Sequence, residues 1–182
     1  MKVLAVDQAR HGAWAVFDTD NKMLIDCGTW VFSNKRYTFE EAILKTEYLL
    51  EDIVRTKGID IVFLEDIQLR QNVKTFKKLA QLQGVLINFC ERNGYRYGVI
   101  QPTKWQNFCN ARGRTQKEIK DNVERLEVDT TKKKSKVLSM QAVKSIYGID
   151  IKNDNLADAI MIGYFVVNNL DNVEITTPRD VT

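Results

Sequence analysis

Four acids and one amide stand where chemistry could happen. Asp7 closes the apolar stretch KVLAVD, Glu65 closes IVFLE, and Asp154, Asn155 and Asp158 open the apolar stretch DNLADAIMIG. Asp154 and Asp158 are one helical turn apart on one face. Carboxylates that end two strands and begin a helix meet at one point when the strands are neighbours and the helix packs across their ends. Like charges gathered in this way repel unless a cation lies among them. A divalent ion resolves that cost. Mg²⁺ takes oxygen ligands and keeps several waters, and two such ions about 3.5–4 Å apart clamp the attacking and leaving oxygens of a phosphodiester. Small residues beside the acids, Ala157 and Ala159, let the helix come close to the strand ends. Taken singly, each acid has a plainer use: Asp154 or Asn155 suits an N-cap, Asp7 a strand-end turn, and Glu65 and Asp66 a solvated loop. The joint pattern, spread over the whole chain, favours the metal site.

The elements that must position these residues follow from apolar periodicity. KVLAVDQA is a short strand ending at Asp7, and Ala13 to Phe17 and Met23 to Phe32 form two more strands around the polar turn Asp18-Thr19-Asp20-Asn21, giving an antiparallel meander. Thr38 caps a helix with Glu40 and Glu41 in its first turn, which ends near Gly58. Ile59 to Leu64 is a buried strand, a long helix runs from about Val73 to Arg92, and YRYGVIQP supplies a fifth strand before Pro102. After a segment of loop and short helix come helices from about Ser135 to Tyr147 and from about Asp154 to Val167. This order describes an α/β fold, a mixed five-stranded sheet flanked by helices. Chemistry in such sheets gathers at the carboxyl ends of parallel strands, where the acids fall.

Composition narrows the class. A chain of 182 residues with 44% apolar residues supports one core, expected over residues 1–170, with 171–182 as a loose C-terminal tail. The longest uncharged apolar run, Ala159 to Val167, is far short of the roughly 20 residues of a membrane span, and Asp7 interrupts any signal-peptide core. A cytoplasmic protein without a membrane partner is expected. Cys27, Cys90 and Cys109 form no CxxC pair, so buried free thiols are expected rather than a disulfide framework or a zinc site. Charge is uneven: from Gln101 to Tyr147, eleven Lys or Arg face five Asp or Glu, while the whole chain carries only +3. A basic segment beside an acidic remainder suits a polyanion held near a cation site, although a charge run also serves as a solvated face.

With these residues in view, the chain resembles the RuvC family of Holliday-junction resolvases. LAVDQA with Asp7, VFLEDIQ with Glu65 and DNLADAIMIG with Asp158 look like its three signature blocks. KLAQLQGVLI is similar to its long central helix, and VIQPTKWQ with the basic loop and KSKVLSMQAVKSIYGI to its substrate-facing segment. The likeness runs from Met1 to about Asn168, and the compact form resembles phage-encoded members, for which the compartment is the cytoplasm of a bacterial host.

The resemblance implies an RNase H-like fold of the retroviral-integrase superfamily and a Mg²⁺-dependent endodeoxyribonuclease, with Mn²⁺ as a substitute and two ions per active site. Asp7, Glu65 and Asp158 become metal ligands. Many members carry an acid three residues before the final aspartate, and here that position is Asn155. Either Asp154 substitutes or Asn155 offers a neutral carbonyl oxygen; Asp154 is favoured. Lysines near the scissile phosphate fall among Lys104, Lys134 and Lys136, with Lys134 and Lys136 assigned to catalysis, where a cation offsets charge growing on the phosphate. Lys104, Arg112, Arg114, Lys132, Lys133, Lys134 and Lys136 become phosphate contacts. The implied substrate is branched DNA, a four-way junction first and three-way junctions and flaps besides, in recombination, repair or phage DNA processing. Hydrolysis leaves a 5′ phosphate without a covalent intermediate, in keeping with a single histidine, His11, that has no evident Ser or Cys partner; a loop position without function is expected for it.

The family works as a homodimer, and the helix from Val73 to Arg92 is its interface element; here its apolar residues exceed one narrow stripe. Phe76 and Trp105 fall near the expected DNA face, where aromatics wedge or stack, although such residues also build cores. Two rivals stand beside this reading. An actin-like ATPase also opens on a strand ending in Asp but needs glycine-rich phosphate hairpins, and DQARHGAWAV offers only Gly12. A non-catalytic branched-DNA-binding protein would need the basic segment but not three separated carboxylates.

Overall fold

The computed structural model describes residues 1–68, 72–113, 116–125 and 136–179. In chain order the elements are β1 (Lys2–Asp7), β2 (His11–Asp18), β3 (Met23–Val31), α1 (Phe39–Lys57), β4 (Ile61–Glu65), α2 (Val73–Asn93), β5 (Arg96–Ile100), α3 (Pro102–Phe108), α4 (Gln116–Arg125), α5 (Lys136–Tyr147) and α6 (Asp154–Asn168). The five strands form one sheet in the order β3-β2-β1-β4-β5. β1, β2 and β3 pair antiparallel, as the meander predicts, whereas β4 lies parallel to both β1 and β5. Parallel neighbours need crossovers, and α2 supplies the one between β4 and β5.

Alternation along the strands sorts the side chains into two cores. Val3 and Ala5 of β1, Phe17 of β2 and Phe63 of β4 face one side, where they pack with residues of α3, α5 and α6. Leu4, Val6, Val62 and Leu64 face the other side, with α1 and α2. Asp7 and Glu65 continue the first set by parity, so both belong to the face that α6 covers. Gly163 lets α6 approach the sheet there, since a Cβ at that position would run into the ring of Phe17.

Local signals set the helix ends. Thr38 Oγ1 accepts from Glu41 N–H at 3.1 Å, and Glu41 Oε2 accepts from Thr38 N–H at 2.7 Å, a capping box. Gly58 and Gly94 close α1 and α2 with φ of 65° and 71°, the left-handed cap conformation that glycine adopts without strain. The C-terminal segment differs from the expected loose tail. Leu170–Asn172 forms a short 3₁₀ turn, and Thr176 exchanges two main-chain hydrogen bonds with Tyr97 of β5, at 2.7 and 3.0 Å. It thereby covers part of an open sheet edge.

Candidate functional site

The last paired residues of β1 and β4 are Val6 and Leu64. Asp7 and Glu65 come next on each strand, side by side on neighbouring backbones spaced by about 5 Å. From β1 the chain turns away toward β2 and β3, and from β4 it turns the other way toward α2 and β5. The carboxyl ends of β1 and β4 are therefore the switch point of the sheet, the place where open α/β sheets form a crevice. A cleft of about 280 Å³ opens there, and its lining includes Asp7, Gln8, Glu65, Asp66, Phe76 and Pro102.

Glu65 is held on several sides. Gln8 behaves as one more peptide unit of β1: its Oε1 accepts from Glu65 N–H at 3.1 Å, and its Nε2 donates to the Glu65 carbonyl. Gln83 Nε2, from α2, donates to the same carbonyl at 3.0 Å. On the far side, Asp66 N–H donates to the Ile100 carbonyl at 2.8 Å. The carboxylate itself accepts from the indole Nε1 of Trp105 at 2.9 Å. Sequence reasoning missed Gln8 and Gln83, both buried, and left Trp105 open between the DNA face and the core. Trp105 is 1% exposed, so of the two uses open to it, stacking at the DNA face or building the core, it takes the core one: α3 turns it inward, and its one polar atom finds a carboxylate. A buried Trp needs a partner for its N–H, and that was the available signal. Phe76 is half-buried at the cleft.

The third contributor is the start of α6. Its N-cap is Asn153, whose Oδ1 accepts from Leu156 N–H at 3.0 Å; the capping use considered for Asp154 or Asn155 thus belongs to their predecessor. Asn155 Nδ2 donates to the His11 carbonyl at 2.7 Å. His11 opens β2, so it is a strand residue and not the loop residue expected. Because β2 pairs with β1 through Ala13 and Asp7, this bond ties the first turn of α6 to the strand beside Asp7. Asp154 and Asp158 are half-buried on that turn and the next, between Asn153 and the fully buried Ala157, Ala159 and Ile160. They do not line the cleft that Asp7 and Glu65 share. Among the described residues, no three His, Cys, Asp or Glu side chains are grouped closely enough to enclose one ion.

The cationic residues are less fully located. Lys104 is exposed on α3, and Arg112 lies just beyond it, with Nη1 donating to Asn107 Oδ1 at 3.2 Å. Arg114, Lys132, Lys133 and Lys134 lie outside the described residues, and Lys136 opens α5 without a described side chain. The cysteines are free. Burial pushes the Cys90 thiol up to about 12 and raises that of Cys109 as well, so neither is a nucleophile at neutral pH.

No protein-family model matches the chain, and no curated protein matches it. Solved structures do. RuvC of Thermus thermophilus superposes with a TM-score of 0.69 and 14% identity, covering 97% of this chain and 100% of that one. T. thermophilus RuvC in complex with Holliday junction substrate gives 0.68 and 12%, covering 97% and 99%. The Fowlpox virus resolvase, in complex with substrate Holliday junction DNA, gives 0.54 and 16%, covering 93% and 99%. At such identities the likeness is one of fold: this chain has the RNase H-like architecture of RuvC and other Holliday-junction resolvases.

Proposed function

We propose that the protein is a metal-dependent endonuclease that resolves four-way DNA junctions, and related branched DNA, by phosphodiester hydrolysis. The observation that carries this reading is the placement of Asp7 and Glu65 just beyond the last paired residues of the two central parallel strands, lining one cleft. The start of α6 is tied alongside through Asn155. The donor set is all oxygen and anionic, which fits a hard divalent ion such as Mg²⁺, or Mn²⁺ in its place. Asp7 and Glu65 at the cleft would hold it, and Asp158, with Asp154 as the fourth ligand, is proposed to join them from the start of α6, outside the cleft's own lining. Asn155, which donates its Nδ2 to His11, offers only a neutral carbonyl oxygen and is the weaker ligand beside a carboxylate. Two bound ions would supply an activated water and stabilisation of the leaving oxygen.

The chain's own residues do the rest. Gln8 and Gln83 keep the end of β4 fixed, Phe76 borders the cleft where a strand would enter, and Lys104, Arg112 and the basic segment that follows bind phosphates. Lys134 and Lys136 are the residues proposed to offset charge on the scissile phosphate. The structures it resembles include two bound to Holliday junctions, which supports branched DNA as substrate.

Resolution of a two-fold substrate calls for two sites, hence a homodimer. The outer face of α2 supports it: Ala80, Gly84 and Val85 border, with Phe39 and Ile43 of α1, a groove of about 480 Å³. Gly84 has open space over its Cα, so another helix could approach closely. The actin-like alternative loses ground at Gly12. That glycine lies under the Trp30 ring and against the Asp7 carbonyl, which leaves no cradle for a nucleotide phosphate.

The test is cleavage of end-labelled four-way junction, three-way junction, flap and linear duplex with Mg²⁺, Mn²⁺ or chelator, beside Asp7→Asn and Asp158→Asn. Paired symmetric nicks in the four-way junction, lost in chelator and in both variants while binding persists, are expected. Equal cutting of every branched form would remove junction selectivity. Binding without cleavage would replace the enzyme with a structure-specific DNA-binding protein.

A further inference from the structure

The Glu65 main chain is anchored on both sides by Gln8, Gln83 and the β4–β5 ladder. The carboxylate has a contact of its own, apart from that main-chain frame. Trp105 Nε1 meets Glu65 Oε1 at 2.9 Å from a ring that is 1% exposed. The ring itself has little freedom. Pro102 starts α3, Cys109 N–H donates to the Trp105 carbonyl at 2.9 Å, and Cys109 Sγ contacts the Met161 carbonyl of α6 at 3.6 Å. We propose that Trp105 is a positioning residue for Glu65: its indole N–H holds the carboxylate in the orientation in which it meets a divalent cation. This rests on the metal-dependent reading given above.

The chemistry of the donor favours that role. A Lys or Arg in the same place would also orient the carboxylate, but its positive charge would compete with the cation. An indole N–H is neutral, so it orders the carboxylate and leaves its charge for the metal. Ordering a ligand before binding removes part of the entropy that binding would otherwise lose, and partners of metal ligands that act in this way change metal affinity by about 10–100-fold when removed.

Trp105→Phe keeps an aromatic ring in the core and deletes the donor. The expected result is an unchanged junction affinity in chelator, with half-saturation raised about tenfold for Mn²⁺ binding, counted by electron paramagnetic resonance, and for Mg²⁺ in cleavage. Saturating metal should restore most of the rate. The wild-type protein offers a second readout without any variant: of its three tryptophans, the one whose indole N–H signal vanishes in Trp105→Phe should shift on Mg²⁺ addition. Unchanged metal half-saturation in a folded Trp105→Phe protein would overturn the proposal and reduce Trp105 to a core residue. Should that variant fail to fold, the wild-type indole signals decide: one that moves with Mg²⁺, and does not move in Glu65→Gln, supports the role, and three that stay still overturn it. Failure of the metal reading is distinct, because the wild-type protein would then bind no Mn²⁺ and cut no junction.

Discussion

The side-chain amide of Asn155 donates to the main-chain carbonyl of His11 at 2.7 Å, joining the first turn of the last helix to the first residue of the second strand. These residues are 144 positions apart in the chain, and their contact sets where Asp154 and Asp158 stand relative to Asp7. Asn155→Ala should cost about 1 kcal/mol in denaturant unfolding, the worth of one such bond. Asn155→Asp should cost more than Asn155→Ala, because two acceptor oxygens would then face the His11 carbonyl. Equal stability of the Asp variant and the wild type would show that the bond does not hold α6 in place.

Gln8 should matter to stability out of proportion to its size. It satisfies both the N–H and the carbonyl of Glu65 while only 5% exposed. Gln8→Leu keeps the volume and leaves the Glu65 N–H without that acceptor. A loss of about 1–3 kcal/mol is expected in urea unfolding, together with a loss of cleavage. Gln8→Glu, which keeps an acceptor for that N–H, should recover part of the stability.

The two aspartates of α6 should separate by degree. Asp158→Asn is expected to abolish cleavage, whereas Asp154→Asn should weaken Mn²⁺ binding, measured by calorimetry, and leave cleavage that recovers as metal is raised. Full activity of Asp154→Asn at low metal would move the fourth ligand to Asn155.

At the opposite end of the sheet, Lys57 Nζ lies 2.6 Å from Asp26 Oδ2, and this hydrogen bond is the main reason that the Asp26 carboxyl lies below its ordinary value of 3.8. A carboxyl depressed on folding contributes stability that is present above its unfolded value and lost as pH falls through the folded one. Both side chains are 39% exposed, so solvent screening limits the pair to about 0.2–1 kcal/mol. Asp26→Asn should therefore be less stable than wild type at pH 7 by no more than that. The gap should shrink as pH drops below 3.8 and close once Asp26 is protonated in both states; a gap that stays constant with pH would rule the ion pair out as its cause.

Much of the fold was legible because the signals were local. Thr38 and Gly58 mark the ends of α1 through contacts within a few residues, and the short apolar runs of β1 and β4 mark buried strands. The acids at 7, 65, 154 and 158 were visible for a related reason: a charged residue closing an apolar strand, or opening an apolar helix, breaks the pattern around it.

Partners distant in sequence emerge only from the folded chain. Nothing near Asn155 names His11, nothing near Gln8 names Glu65, and nothing in QPTKWQ says that Trp105 faces a carboxylate and not a DNA base. The tail shows the same limit, since Thr176 pairs with Tyr97 only because β5 leaves a sheet edge open there. Element order and the residue types able to do the chemistry are written locally in the chain, because periodicity and capping act over one or two turns. Which side chains share a hydrogen bond across the sheet depends on strand order and on how closely α3 and α6 pack, and those are settled only when the whole chain buries its two apolar faces at once.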